Sequence, residues 1–232
     1  MQNKSAAVIV AAGSSSRMDG RDKLWIPLAG RITLARTIDV FEASPVIDTI
    51  VLVLNAERIT NATALCQQEG WRKIACIVAG GARRQDSVCI GLDALVKFAP
   101  TTSWVMIHDG ARPLVTSSIL EEGLRAAQEY QAAIAAVPVK DTIKQVHQGR
   151  IETTLDRSQL WAIQTPQVFS LSLIHQAHHA PQAHQNVTDD AALLEQLGQR
   201  VAIFPGSYTN IKITTQEDLL IAEALIKGFT AL

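Results

Sequence analysis

The stretch Ala7–Lys23, AVIVAAGSSSRMDGRDK, decides how the chain is read. It opens on four apolar residues, Ala7, Val8, Ile9 and Val10, with no polar face. A short run of this kind, closed by a turn, predicts a strand covered on both sides, as inside a parallel sheet. The run stops at Ala11-Ala12-Gly13 and gives way to Ser14-Ser15-Ser16, with cations at Arg17 and Lys23. Small residues let backbone N–H groups come close to a phosphate, and the cations oppose its charge. The stretch therefore predicts a triphosphate cradle at the tip of the first strand. The plainer alternative is an ordinary strand-to-helix turn with solvated cations. It is not a P-loop, because Gly20 is followed by Arg21-Asp22-Lys23, and no G-x-G-x-x-G dinucleotide fingerprint occurs.

Working outward, similar apolar runs recur at Thr49–Leu54, Ile74–Val78, Ser103–Ile107 and Ala132–Val137. Helical signals fall between them. Leu34, Ile38 and Phe41 share one helix face after a short extended piece, Trp25–Leu28, closed by Gly30. A helix over Ile59–Glu69 is stopped by Gly70, and another carries Val88, Leu92, Leu95 and Val96 on one face. Ser118 and Glu121 have capping-box spacing at the start of a further helix. Such alternation predicts an α/β fold, a Rossmann-like, mostly parallel sheet with helices on both faces. Right-handed crossovers then place the loops after Val10, Val78, Ile107 and Val137 on one rim, where open α/β sheets bind ligands.

Those rim loops hold the polar residues. Gly80-Gly81, Arg83-Arg84 and Asp86-Ser87 suit a base or ribose, although Ser87 serves equally as a helix N-cap. His108 and Asp109 are adjacent on a strand and point to opposite faces, so they do not act as one acid–base pair. Asp109, beside a phosphate site, suits a Mg²⁺ ligand. Arg112 suits a phosphate or a carboxylate partner.

The pattern changes in the last third. Lys140–Leu155 alternates polar and apolar and turns at Gln148-Gly149, which predicts an exposed hairpin. A lone hairpin is marginally stable, so it is expected to be a partner arm. Trp161–Phe169 is expected to be loop-rich around Thr165-Pro166-Gln167. Thr188-Asp189-Asp190 caps a helix ending at Gly198, and Val201–Phe204 is a late strand. Thr214-Thr215-Gln216-Glu217 opens a last helix through a Thr-x-x-Glu box, and Gly228 closes it.

Composition excludes several classes. The chain has 232 residues, 47% of them hydrophobic, and a net charge of −1. That balance argues against a large nucleic-acid or membrane surface, and no apolar run reaches spanning length. Cys66, Cys76 and Cys89 form no CxxC pair, which suits reduced thiols in a cytoplasmic protein. No Gly-x-Ser-x-Gly elbow is present, which disfavours a serine hydrolase. His175 and His179 are spaced for a metal site, but no Cys accompanies the His175, His178, His179, His184 group and no carboxylate lies between them, so a solvated helix end is preferred.

With these motifs in view, the chain resembles the 2-C-methyl-D-erythritol 4-phosphate cytidylyltransferases over nearly its full length. Ala11–Met18 resembles the nucleotide signature of the wider nucleotidyltransferase superfamily. Gly80-Gly81 with Arg84–Val88 resembles the family's base-recognition turn, and His108–Pro113 its His-Asp-Ala/Gly-Ala-Arg-Pro signature. Val139–Lys144 resembles the start of its dimerisation arm. Asp156-Arg157, Thr165–Gln167, Thr188–Ala191 and Asn210–Lys212 complete the series, while Asp22 stands where proline is usual and Asp190 where glutamate is frequent.

The resemblance implies a single nucleotidyltransferase domain over 1–232 with an arm at about 139–157. It implies transfer from CTP to 2-C-methyl-D-erythritol 4-phosphate, with Mg²⁺ or another divalent cation, in the non-mevalonate isoprenoid pathway. The products would be 4-diphosphocytidyl-2-C-methyl-D-erythritol and pyrophosphate. Arg17 and Lys23 match the family's transition-state stabilisers. Ala11, Ala12, Gly13, Gly81, Arg84 and Ser87 match its CTP-binding positions. Asp109 matches a residue near the metal and the substrate hydroxyls. Arg157 and Lys212 match residues that hold the substrate phosphate, with Thr142 and Arg112 close by. The arm implies a homodimer in which Thr142 and Arg112 complete the partner's site. The nearest alternative substrate is a pentitol phosphate such as ribitol 5-phosphate; a non-catalytic nucleotide-binding regulator is disfavoured because Arg17 and Lys23 are both present.

Overall fold

The computed structural model describes residues 4–13, 22–184 and 186–230, with all their side chains except those of Gln182, His184, Phe229 and Thr230. Arg17 and the Ser14–Ser16 loop lie outside the described residues. The chain runs through β1 (Lys4–Ala11), β2 (Pro27–Leu28), β3 (Arg31–Ile32), α1 (Thr33–Ala43), β4 (Thr49–Leu54) and α2 (Ile59–Glu69). It continues through β5 (Ile74–Ala79), α3 (Arg84–Phe98), β6 (Thr102–Asp109), α4 (Ser117–Tyr130) and β7 (Ala132–Pro138). The hairpin β8 (Lys144–His147) and β9 (Arg150–Thr154) follows, then β10 (Trp161–Ser170), α5 (Leu171–His178), α6 (Ala191–Gln196), β11 (Ala202–Pro205) and α7 (Gln216–Thr230).

Seven strands form one sheet in the order β11-β7-β10-β6-β1-β4-β5. All its pairings are parallel except those of β10, which runs antiparallel to both β6 and β7. The chain leaves β1 toward β4 and β5, then returns to lay β6 on β1's other side. That reversal opens a crevice at the C-terminal ends of β1 and β6.

β1 shows why its sequence is apolar throughout. Ala7, Ile9 and Ala11 enter one core cluster with α1 residues Leu34, Ile38 and Phe41. Ala6 and Val8 enter the opposite cluster with Val88, Leu92 and Leu95 of α3. Each fully buried Val, Leu, Ile or Phe side chain among them contributes about 1.5–3 kcal/mol. α3 lies against β1, β4 and β5, and Gly91 makes the close approach possible. A Cβ there would lie 2.5 Å from Val8 Cγ1 and 2.8 Å from Val53 Cγ2.

Several expectations are corrected by this arrangement. Trp161–Phe169 is not loop-rich but lies in β10, an interior strand of the sheet. Pro166 argues against a central strand because it lacks a ladder donor. Here the ladder to β7 is interrupted between Ile163 and Gln167, so the missing donor falls in an irregularity. Ser87 is not an N-cap: α3 starts at Arg84, and Asp86 accepts the Arg83 N–H at 3.1 Å. The Ser118–Glu121 box does not form, since Ser117 Oγ donates to Glu121 while Ser118 pairs with Thr116. The box of α7 uses Thr215 and Asp218, one residue later than expected, and the helix continues past Gly228. Val96 stays exposed although Val88, Leu92 and Leu95 are buried.

The hairpin turns at Gln148 (φ 49°) and Gly149 (φ 76°), two successive left-handed residues that match a tight two-residue turn. No residue of β8 or β9 is buried, and Val146 and Ile151 are more than half exposed. Among the described helices none is long and apolar enough to cross a membrane.

Gly91→Ala is expected to push α3 off the sheet and cost about 1–3 kcal/mol, the scale of overpacking. Urea denaturation checks this through a lower midpoint; an unchanged midpoint would show that the helix–sheet contact is not tight.

Candidate active site

The crevice between β1 and β6 holds a cavity of about 440 Å³. Its wall includes Ala11, Ala12, Gly13, Lys23, Gly81, Arg84, Ser87, Asp109 and Lys212. A second cavity of about 280 Å³ is lined by Arg112, Gln164, Thr165, Gln167, Thr188 and Asp189. Arg84, Asp109 and Lys212 border both, so the two spaces meet at these three residues.

The first cavity is built from close-packed turns. Gly110 N–H donates to Val10 O at 2.8 Å, joining the ends of β1 and β6. Gly80 N–H donates to Leu54 O at 2.8 Å, and a Cβ on Gly80 would collide with Ala12 and Ser87. Ser87 Oγ accepts from Gly81 N–H and donates to Arg83 O, both at 3.1 Å. Ser87 therefore shapes the glycine turn as well as lining the cavity. Asp22 Oδ1 accepts Leu24 N–H at 3.2 Å, and Asp22 Oδ2 pairs with Arg58 at 3.1 Å. This anchored turn carries Lys23 into the cavity wall.

Asp109 stands at the junction. Its Oδ1 accepts from Arg84 Nε at 3.2 Å. Its Oδ2 lies 2.9 Å from Lys212 Nζ and 3.6 Å from Arg112 Nε. Burial alone would raise this carboxyl, but Arg84, Lys212 and Arg112 outweigh it and hold Asp109 well below the usual carboxylate range. Arg84 reaches further: Nη1 donates to Asp190 Oδ2 at 2.8 Å. Asp190 is itself buried, with His178 Nε2 3.3 Å from its other oxygen. Burial again opposes the charge, and Arg84 with His178 keeps Asp190 ionised.

Three residues that sequence reasoning left without a role position this network. Gln167 donates to Asp189 at 2.8 Å and accepts the N–H groups of Asp190 and Ala191, which fixes the loop before α6. Asn210 donates to Thr165 O at 2.9 Å, and its own carbonyl accepts from Arg112 Nη1 at 2.7 Å. His178 backs Asp190 from inside. All three sit in or beside motifs visible in the sequence, but their burial depends on β10 being an interior strand.

His108 faces away from the cavity, packed against Phe41 with ring centroids 5.0 Å apart and the planes tilted by 51°. Arg112 O can only accept, so His108 Nε2 carries the proton toward it at 3.3 Å. Nδ1 then accepts from Thr165 Oγ1 at 3.2 Å, while that hydroxyl accepts Asp109 N–H at 3.0 Å. Burial pushes the imidazole down to about 3. His108 thus sets the end of β6 that presents Asp109.

The arm residues are placed elsewhere. Thr142 and Arg157 are exposed and border neither cavity. Arg157 Nη1 donates to Lys140 O at 2.8 Å, at the base of the arm. Arg112, expected at a partner's site, borders the second cavity of its own chain. The loop after β7 leads into the arm, so of the four rim loops only those after β1, β5 and β6 enter the first cavity.

The family model described as 2-C-methyl-D-erythritol 4-phosphate cytidylyltransferase matches residues 5–228. The chain belongs to this family. A relative of that name from Dehalococcoides mccartyi is 47% identical, covering 98% of each chain. One from Geobacter metallireducens is 45% identical over 95% of this chain and 97% of its own. The crystal structure of 4-diphosphocytidyl-2C-methyl-D-erythritol synthase from Anaerococcus prevotii superposes with a TM-score of 0.86 at 32% identity, covering 97% of this chain and 96% of that one. The family is one of nucleotidyltransferases, and the solved structure shares this chain's fold over nearly its whole length.

A protein-held Mg²⁺ does not fit the residues as they stand. Asp109 is the one carboxylate among the described residues bordering the first cavity, and both its oxygens already face cations. Mg²⁺ sites usually combine carboxylates, water and substrate phosphates. Any ion here would depend on oxygens brought by the nucleotide.

His108 has a pH consequence. Its folded value lies below the ordinary 6.5, so the unfolded chain takes up a proton that the native chain refuses. Its stabilising contribution is complete above about pH 6.5 and is lost as pH falls toward about 3, at about 1.4 kcal/mol per pH unit. Urea unfolding across that window is expected to show a shallower pH dependence for His108→Gln than for the wild type. Equal slopes would contradict a buried neutral imidazole.

Proposed function

We infer that this chain transfers the cytidylyl group of CTP to 2-C-methyl-D-erythritol 4-phosphate, giving 4-diphosphocytidyl-2-C-methyl-D-erythritol and pyrophosphate. The observation that carries the reading beyond family membership is the pair of cavities joined at Arg84, Asp109 and Lys212. The first takes the nucleotide, with Ala11–Gly13 and Lys23 at its phosphates. The second takes the polyol phosphate, and the reacting groups meet at the junction.

A phosphate oxygen of the acceptor attacks the α-phosphorus of CTP, and the bond to pyrophosphate breaks. Both reactants are anions, so repulsion and accumulated charge dominate the barrier. Fixed cations address both, through positioning and through electrostatic stabilisation of the transition state. Lys23 serves the triphosphate, joined by Arg17 on the strength of its motif. Lys212 and Arg112 serve the acceptor phosphate. Asp109 is a positioning group here: its carboxylate spaces Arg84, Arg112 and Lys212 and keeps them from collapsing onto one anion. A divalent cation such as Mg²⁺ would be held by the oxygens of the nucleotide, not by Asp109, and would supply further charge neutralisation.

We also assign the arm to a second copy of the chain. What supports this is an all-exposed hairpin with apolar Val146 and Ile151, and Thr142 and Arg157 lying outside their own chain's cavities. In a homodimer these two residues complete the partner's acceptor site. Three free cysteines suit a cytoplasmic enzyme.

Pyrophosphate release is expected with CTP, Mg²⁺ and methylerythritol phosphate, and not with the other three nucleoside triphosphates. Faster turnover with ribitol 5-phosphate would transfer the assignment to a pentitol phosphate. Lys23→Ala is expected to lower turnover about a hundredfold or more, near 3 kcal/mol, with the fold intact by circular dichroism; near-normal turnover would remove Lys23 from the mechanism. Sedimentation over a dilution series is expected to show a dimer that loses activity as it dissociates. A fully active monomer would overturn the shared site.

A further inference from the structure

Outside the cavities, α3 and α5 pack against each other. Cys89 and Asp93 lie one turn apart on α3; His175 lies on α5, and His179 one turn later at its C-cap. Residues four apart share a helix face, so two pairs of potential ligands confront each other across the contact. His175 Nε2 is 2.9 Å and His179 Nε2 2.8 Å from the same oxygen, Asp93 Oδ1. Cys89 Sγ is 3.9 Å from His179 Nε2, and the two imidazole centroids are 4.5 Å apart. The donor atoms of Cys89, Asp93 and His179 all fall within 4.8 Å of one another; His175 stands outside that group, joined to it through Asp93, and its imidazole has to turn inward to become the fourth ligand. The carboxylate and thiol that the local sequence around the histidines lacks are supplied by a distant helix. His178, the neighbour of both, points the other way, to Asp190.

We propose that Cys89, Asp93, His175 and His179 form a binding site for one divalent transition metal ion of the zinc type. One thiolate, two imidazoles and one carboxylate make a four-ligand set of the kind tetrahedral Zn²⁺ takes. This mixture suits zinc and cobalt and does not suit Mg²⁺ or Ca²⁺, which prefer oxygen. Bond lengths of about 2.0–2.3 Å place tetrahedral donors roughly 3.3–3.8 Å apart. The sulfur–nitrogen separation is already close to that range. The Asp93–histidine separations must open by about half an ångström, a small rotation for partly exposed side chains. A cavity of about 240 Å³ bordered by Cys89 and His179 provides the entry path. Helix pairs facing each other are a common frame for such sites. Here the ion ties α3, which begins at Arg84, to α5, which ends at His178. It acts as a staple behind the transferase site and takes no part in the transfer.

The test uses the full-length, untagged chain freed of metal by a chelator. Calorimetry is expected to show one Zn²⁺ per chain, unaffected by excess Mg²⁺, and Zn²⁺ is expected to raise the melting temperature. Co²⁺ is expected to give the thiolate charge-transfer absorption of a sulfur-ligated ion. Cys89→Ser is expected to abolish that band, and Asp93→Asn and His179→Ala to weaken Zn²⁺ by roughly tenfold or more. Cytidylyl transfer measured with Mg²⁺ is expected to be unchanged in all three variants. Absence of saturable Zn²⁺ binding would overturn the proposal and leave Asp93 as a hydrogen-bond tie between helices. So would binding that Cys89→Ser and His179→Ala leave at wild-type strength, because the ion would then sit elsewhere.

Discussion

The organising interaction is the buried carboxylate of Asp109 with three cations around it. Arg84 comes from the start of α3, Arg112 from the loop after β6, and Lys212 from the segment after β11. Taking one carboxylate and several cations out of water is costly, and the arrangement persists because each charge has a partner. Arg84 extends the network to Asp190, and Asp190 to His178 on α5. One connected set of polar side chains therefore ties five separate segments of the chain together around the junction of two cavities. A cluster fixed in this way is pre-organised for anions, which is the requirement for bringing two phosphate-bearing substrates together.

That network depends on small residues in its supporting structure. Gly80 and Ala12 touch where two rim loops meet, and Gly91 lets α3 press onto β1 and β4. Gly110 sits against Ala11 and Leu34, where a Cβ would come within 3.0–3.2 Å. These positions bring the first loop, the glycine turn and the end of β6 within reach of one nucleotide. The polar supports behind them, His108, Thr165, Gln167 and Asn210, are buried and hydrogen-bonded, so the site rests on strands and not on mobile side chains alone.

The arm follows a different logic. β8 and β9 bury nothing within the chain, and their tether is local, through Arg157 to Lys140 and through Lys140 stacked on Tyr208 at 3.5 Å. Tyr208 in turn donates to Pro138 O at 2.7 Å, at the foot of the arm. A hairpin held only at its base has its apolar residues free for another surface.

By itself, the sequence determined the features that depend on short-range pattern. β4 and α2 fall at the residues their periodicity and Gly70 indicated. The turn at Gln148-Gly149 and the two-sided burial of β1 were legible for the same reason: alternation and turn chemistry act over a few residues. Ala11–Gly13 and Lys23 of the opening stretch line the first cavity, where their small size and charge pointed to a ligand-facing loop, while Arg17 lies outside the described residues. Only the tertiary structure decided that Trp161–Ser170 is an interior antiparallel strand, because the ladder irregularity that excuses Pro166 depends on which strand lies beside it. It also decided that Arg84 joins Asp109 to Asp190, residues 25 and 106 positions away, that Cys89 and Asp93 meet His179, and that Asp93 meets His175. Charges and ligands so far apart in the chain have no shared local pattern. Their pairing is set by sheet order and helix packing, which exist only once the chain has folded.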